Sequence, residues 1–377
     1  AVMIGKAMIE IPPKFKDMPP IHPGIKERSF YRNAEGLAED VKHYGVWMRE
    51  KAFERIGHLY PQVDLPREYG GGKATVIAWI WARTVPSPDP AFSDVDVPLA
   101  SNFLLSSKKG KEVWIEPVVD RVAKTISYRI RHGGTKEEIE TAKLGSTAGK
   151  RQAFRCVISG AALPYDYIRK AGQSGKMRST LLAVVADSKG GRVHIEPSAE
   201  HYAVAQSAKP DWKPEAQLPD NPRDFKTPNY GLDTFGDLFT DRQLVALNAF
   251  SKLVHEAKVE IEADASATGF SSDGPPLRDG GTGAKGYAEA ISVYLGISVS
   301  KLAVFLNSLS RWRAGENKSA PAFGRQAIAM VWDFAEVNPF AGAGGDFQGV
   351  VNGTAGVLDR LRGSASGHLV NHDSQTV

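Results

Sequence analysis

Apolar residues return at helical spacing over residues 36–60, where Leu37, Val41, Tyr44, Met48, Phe53, Ile56 and Tyr60 form a stripe above charged neighbours. That periodicity predicts an amphipathic helix stopped by Pro61. A second stripe, Ile291, Tyr294, Leu295, Leu302, Phe305 and Leu309, predicts one long helix over 287–312. Thr240 followed by Gln243 makes a capping box, and Leu244, Leu247, Phe250 and Val254 carry a third helix onward from it. Residues 1–11 also place apolar side chains at helical spacing. Pro12-Pro13 and Pro19-Pro20 then predict a rigid, extended connector as far as Pro23.

The pattern changes at residue 74. ATVIAWIWARTV (74–85) is rich in β-branched and aromatic residues, with Gly and Pro flanking it, and reads as a buried strand. Two more strands are expected over 99–106 and 111–119, joined by the basic turn Lys108-Lys109-Gly110-Lys111. Residues 125–131 alternate, with Ile126, Tyr128 and Ile130 on one face. Segments 181–186 and 192–195 flank Lys189-Gly190-Gly191, a hairpin signal. Gly70-Gly71-Gly72 reads as a turn, because the lysine that follows lacks P-loop spacing. Residues 208–229 and 268–286 are Pro- or Gly-rich connectors. The expected division is 1–73, connector and amphipathic helix; 74–207, a β-rich insert; and 208–377, a helical region with the C-terminal part.

No apolar run approaches the ~18 residues of a membrane span, and a single cysteine, Cys156, allows no internal disulfide. A cytoplasmic location with no membrane partner is the expectation. The net charge of +4 conceals an asymmetry, since residues 101–178 hold sixteen Lys/Arg against seven Asp/Glu. A basic middle region suits a phosphate backbone. Lys108, Lys109, Lys111, Arg129 and Arg131 are the candidate contacts, with Arg325 beside Arg311-Trp312-Arg313 as a further phosphate or base-stacking position. His43, His58, His132, His194 and His201 never group at metal-ligand spacing.

Two local patterns carry possible chemistry. Ser87, Phe92, Cys156 and Ser159 stand at the C-x4-C…C-x2-C spacing of a zinc ribbon with only one thiolate kept. Zinc requires four donors, so no metal site is expected, and packing around Phe92 takes the ion's place. In the second, 327–345 (AIAMVWDFAEVNPFAGAGG), an apolar run leads to Asn338-Pro339-Phe340 with Gly342 and Gly344 after it. Amino-methyltransferases use an acidic-Pro-Phe-x-Gly-x-Gly turn to bring backbone N–H groups against S-adenosylmethionine, and glycine permits that approach. Here Asn338 replaces the acid, and only 32 residues follow Gly345, short of roughly three βα units of ~30 residues each. Asn338 is therefore expected as a helix-to-loop cap, with a cofactor contact by Asn338, Gly342 and Gly344 as the alternative.

IEIPPKF, ATVIAWIWARTVP, KKGKEVWIEPVVD, LPYDYIR after Cys156, YGLDTFGDLFTDRQLVAL and FGRQAIAMVWDFAEVNPF occur in this order over nearly the whole chain. In these blocks it resembles the large adenine-specific DNA methylase-like proteins that carry a zinc-ribbon insertion, often in anti-phage defence neighbourhoods. The resemblance implies an α/β fold: an incomplete Rossmann-like methyltransferase portion, a β-rich zinc-ribbon-like insert and a helical region. It implies methyl transfer from S-adenosylmethionine to adenine in double-stranded DNA, with other defence proteins as further partners. It implies that Asp373 precedes the catalytic motif and contacts the cofactor's adenine. In the family the cofactor turn lies upstream of the block matching 1–15, and the catalytic Asp-Pro-Pro-Tyr downstream of the block matching 370–377. Neither motif occurs here: the Pro-Pro pairs sit in Ile11-Pro12-Pro13-Lys14, Met18-Pro19-Pro20-Ile21 and Gly274-Pro275-Pro276-Leu277. None offers the acceptor and stacking aromatic that a flipped base requires. The expectation is a middle portion that grips DNA, with a non-enzymatic interaction module as the rival.

Overall fold

The structure is a computed structural model that describes all residues except 1, 26–27, 29, 150–152, 325–326, 362–366 and 368–377. It divides into two compact units, each built from separated pieces of chain. The first comprises Ala1–His58, Ala246–Ala303 and Asp346–Val377; the second comprises Leu59–Val245 and Val304–Gly345. The boundaries expected at 73 and 207 both fall inside the second unit.

The first unit is helical in its described residues. Its helices are α1 (Val2–Ile9), α2 (Glu35–Ile56), most of α3 (Asp241–Ala267), α4 (Ala284–Leu302) and α5 (Phe347–Leu358). The stripe of α2 buries Leu37, Val41, Tyr44, Met48 and Ile56, as the periodicity requires, but Ala52 takes the buried place and Phe53 is half exposed. Pro12 and Pro13 open a helical turn, Ile11–Lys14, where an extended connector is expected. Proline lacks an N–H, but the first turn of a helix leaves its N–H groups unpaired anyway, so nothing is lost there.

Helix α4 ends at Leu302, ten residues short of the expected end at Trp312. Side chains beyond it compete with the helical ladder. Asn307 Oδ1 accepts from the Leu309 N–H at 2.9 Å, and Ser310 Oγ donates to the Phe305 carbonyl at 2.8 Å. Trp312 then lies in a short strand, Arg311–Arg313.

The second unit holds the strands β1 (Val76–Pro86), β2 (Asp96–Leu99), β3 (Leu104–Lys108), β4 (Lys111–Asp120), β5 (Thr125–His132), β6 (Arg178–Ser188), β7 (Gly191–Ile195) and β8 (Asp333–Val337). Five of them form one sheet in the order β7-β6-β1-β8, with β2 pairing β1 beyond the end of β8. Strands β3, β4 and β5 form a separate three-stranded sheet. Residues 76–85 of β1 are all buried, as a central strand requires. The strand expected over 99–106 is split, with β2 ending at Leu99 and β3 starting at Leu104.

The chain is thus a mixed α/β protein, and every ladder among the described strands is antiparallel. A doubly wound parallel sheet is not found among the described residues. A continuous apolar run such as β1 does not encode the direction of its partners, whereas the tight hairpin joining β6 to β7 permits only the antiparallel one.

At the centre of this unit Glu336 on β8 meets Arg242 at the start of α3. Arg242 Nη2 donates to Glu336 Oε2 at 2.6 Å and Nε to Oε1 at 3.2 Å, and both side chains are buried. Trp81 Nε1 and Thr240 Oγ1 donate to the remaining lone pairs at 2.8 and 2.5 Å, and the guanidinium lies 3.9 Å from the Trp79 ring centroid. The Thr240–Gln243 capping box is formed: the Gln243 N–H donates to Thr240 Oγ1 at 3.2 Å and the Thr240 N–H to Gln243 Oε1 at 2.9 Å. No described helix is long and apolar enough to cross a membrane.

Candidate nucleic-acid interface

The basic turn between β3 and β4 is a two-residue hairpin loop. Lys108 pairs with Lys111 across it, and Gly110 occupies the left-handed region at φ +73° that such a turn demands. A second basic hairpin joins β6 to β7, with Ser188 paired to Gly191 and Lys189-Gly190 at its tip. These two tips, with Glu68, Tyr69 and Gly70 and with Asn317, line a cleft of about 710 Å³.

Lys108, Lys111, Lys189 and Arg192 are the cations of the cleft, against Glu68 and Glu112. Glu112 is partly used locally, since its Oε1 accepts from the Gly110 N–H at 3.1 Å. The Arg192 guanidinium lies 5.8 Å from the Trp312 ring centroid. At the floor His194 is buried and its Nε2 lies 3.0 Å from Asn317 Oδ1. Burial pushes its pKa down to about 4, so it is neutral near pH 7. His132 Nε2 lies 2.9 Å from the Tyr69 hydroxyl. The arrangement is an electropositive groove with small residues at its hairpin tips, through which a backbone phosphate can approach closely.

The five lysines and arginines expected to act together are divided by the pleat. Strand residues alternate between faces, and directly paired residues share one. Lys108, Lys111 and His132 fall with Val113 and Ile115, whereas Arg129 and Arg131 fall with Trp114 and Glu116. Arg131 Nε lies 3.7 Å from Glu116 Oε2. Lys109 is exposed at the turn. Lys189, Arg192, His194 and Asn317 were not expected at the site. The Lys189-Gly190-Gly191 signal announces a turn, but not that its tip meets the other basic turn. Arg325 lies outside the described residues.

The second candidate, the Asn338 loop, follows strand β8 rather than a helix. The reason is the pairing of β8 along β1, continued by the Asn338 N–H, which donates to the Ile77 carbonyl at 2.9 Å. Asn338 is buried, its Nδ2 donating to the Val76 carbonyl at 2.8 Å and its Oδ1 accepting from the Phe340 N–H at 2.9 Å. Gly342 is exposed at φ +67°, with open space where a Cβ would stand. Gly344 is exposed too, its carbonyl accepting from Ser319 Oγ at 2.9 Å. The Asn338 side chain is thus engaged by its own chain, while Gly342 has open space at its Cβ position and a Cβ at Gly344 would stand 3.2 Å from Ser319 Oγ. Asp373 lies outside the described residues.

The third pattern brings two distant turns together. Ser87 and Cys156 are both buried with Oγ and Sγ 3.2 Å apart, and Phe92 packs on the apolar cluster that contains Cys156. Ser159 Oγ accepts from the Ala161 N–H at 3.3 Å. Among the described residues no three His, Cys, Asp or Glu side chains converge as metal ligands. No protein-family model matches the chain, and no curated protein or solved structure does either.

Proposed function

We propose that this chain is the DNA-contacting and scaffold part of an S-adenosylmethionine-dependent DNA adenine methyltransferase. One observation carries the DNA contact: Lys108 and Lys111 from one hairpin and Lys189 and Arg192 from another line a single cleft. The methyl-transfer half of the reading, and with it the Rossmann-like portion, the cofactor and the defence-system partners, is supported by the sequence resemblance alone. In this reading the donor site is not built by the described residues. The Asn338 loop serves as a strand-end clasp that fixes β8 against β1.

Fluorescence anisotropy of the full chain on a labelled duplex tests the proposal. Four phosphate contacts predict a slope of log K against log salt of roughly −3 to −4. Affinity independent of salt, or no binding at low ionic strength, refutes the contact role. A non-enzymatic interaction module is the second reading, favoured by the bonds that the Asn338 amide makes to its own chain. Calorimetry with S-adenosylmethionine tests a third reading, a self-sufficient methylase using the Asn338 loop, since a donor site there requires measurable heat of binding.

A further inference from the structure

The second unit contains another cavity, of about 390 Å³, lined by Trp81, Arg83, Tyr202, Phe239, Phe334 and Glu336 among others. Arg83 lies on β1 with only 6% of its surface exposed. Its Nε donates to the Val331 carbonyl at 2.9 Å, and its Nη2 to Ser308 Oγ at 2.9 Å and the Ser308 carbonyl at 3.3 Å. All three acceptors are neutral, and Nη1 has no hydrogen-bond partner among the described residues. The guanidinium lies 5.5 Å from the Phe334 ring centroid. Burial pushes its pKa down to about 10, and no carboxylate stands close enough to push it back up. It is still a cation at neutral pH.

Of the three carboxylates around this cavity, Glu336 is the one that meets a cation among the described residues. Glu336 is bridged by Arg242 and Trp81. Asp237 Oδ2 accepts from the Asp233 and Thr234 N–H groups and from Thr234 Oγ1. Asp241 is exposed in the first turn of α3, where solvent screens it. A buried cation without an opposite charge is unfavourable unless something supplies one. Four aromatic rings, Trp81, Tyr202, Phe239 and Phe334, stand in the lining with Arg83, which favours a flat apolar body over a bare inorganic ion.

We propose that the cavity binds a small organic anion, a carboxylate carried on a planar apolar body. Arg83 Nη1 is its anchor, and Trp81, Tyr202, Phe239 and Phe334 enclose the body. Titration calorimetry of the full chain with benzoate, benzamide and inorganic phosphate tests the idea. Benzoate should bind at least about tenfold more tightly than benzamide, which lacks the charge, or phosphate, which lacks the body. Arg83→Met should weaken benzoate by roughly ten- to a hundredfold, the range of one charge-assisted hydrogen bond. Ala205→Trp fills the cavity and leaves Arg83 in place, so it should abolish binding, and it decides the matter if Arg83→Met does not fold. Absence of benzoate binding, equal binding of benzamide or phosphate, or benzoate binding that survives the tryptophan overturns the proposal.

Discussion

Ser87 Oγ and Cys156 Sγ lie 3.2 Å apart although 69 positions separate them along the chain, and both side chains are buried. Two turns with the spacing of a zinc ribbon therefore meet around an apolar cluster that includes Val85, Val97, Phe154, Ile158 and Leu163, with Phe92 packed against it. Apolar packing joins the two turns among the described residues. Phe92→Ala should cost about 1–3 kcal/mol, below a full core truncation because Phe92 is only partly buried. Urea denaturation reads the loss. An unchanged midpoint would show that something other than Phe92 holds the two turns.

Arg242 and Glu336 form a buried pair whose remaining bonds go to Trp81, Thr240 and the Leu59 carbonyl. Removing one partner strands the other in a low-dielectric interior, so Glu336→Leu alone should cost about 3–5 kcal/mol. Exchanging both, Arg242→Met with Glu336→Leu, should recover most of that, because no buried charge remains. Equal losses in the single and double variants would mean that the bonds of Arg242 to the rest of the chain matter more than the pair.

Local signals were legible in the sequence and long-range ones were not. The Thr240–Gln243 capping box and the Lys189-Gly190 hairpin are written within a few residues, and both are in the structure. The end of α4 was misread because a hydrophobic stripe continues through Phe305 and Leu309. The Asn307 and Ser310 side chains that divert the backbone look harmless in a list of residues. The cleft was half legible: two basic glycine turns are visible in the sequence, yet only the fold brings Lys111 and Lys189 to one groove. Arg83 gave no signal at all, since an arginine in an apolar strand does not say what surrounds it.

Two buried groups set opposing dependences on pH. Asp40 accepts from the Ile21 and His22 N–H groups and from the Tyr287 hydroxyl, yet burial raises its pKa to about 6. The folded state keeps a proton that an unfolded aspartate has lost, so the stability from this group is present in acid and disappears as pH rises through about 6. His194 is held neutral, with its pKa lowered to about 4. Its contribution is present above the unfolded imidazole value of about 6.5 and disappears as pH falls through about 4. Between those limits the two trends cancel in part. Asp40→Asn should make stability fall more steeply on acidification, and His194→Gln should flatten the fall. Urea midpoints across this range that shift equally at every pH would reject both assignments.

Two glycines in helices should respond oppositely to alanine. Gly172, in the helix Tyr165–Gln173, would place a Cβ only 2.2 Å from the Tyr230 carbonyl oxygen. Gly296 in α4 has open space at that position. Gly296→Ala should add about 0.5–1 kcal/mol through helix propensity and reduced freedom of the unfolded chain. Gly172→Ala should destabilise despite the same propensity gain, because backbone atoms must move. Thermal melts rank the two, and stabilisation by both would mean that the Gly172–Tyr230 approach is looser than the structure has it.

The pleat of the three-stranded sheet separates the lysines and arginines that charge alone would group. Lys108 and Lys111 line the cleft with Lys189 and Arg192, while Arg129 and Arg131 share their face with Glu116. If the cleft tracks a phosphate backbone, Lys189→Glu and Arg192→Glu should weaken duplex binding as much as Lys108→Glu and Lys111→Glu do. Each should also lower the salt slope by about one. Arg129→Glu and Arg131→Glu, on the other face, should leave the slope nearly unchanged and alter affinity only through long-range charge, which salt screens beyond about 10 Å. The comparison is internal, since all six variants reverse one charge in the same unit. A larger loss at Arg129 and Arg131 than at Lys189 and Arg192 would move the binding face to the side of Trp114, and the cleft would then need another explanation.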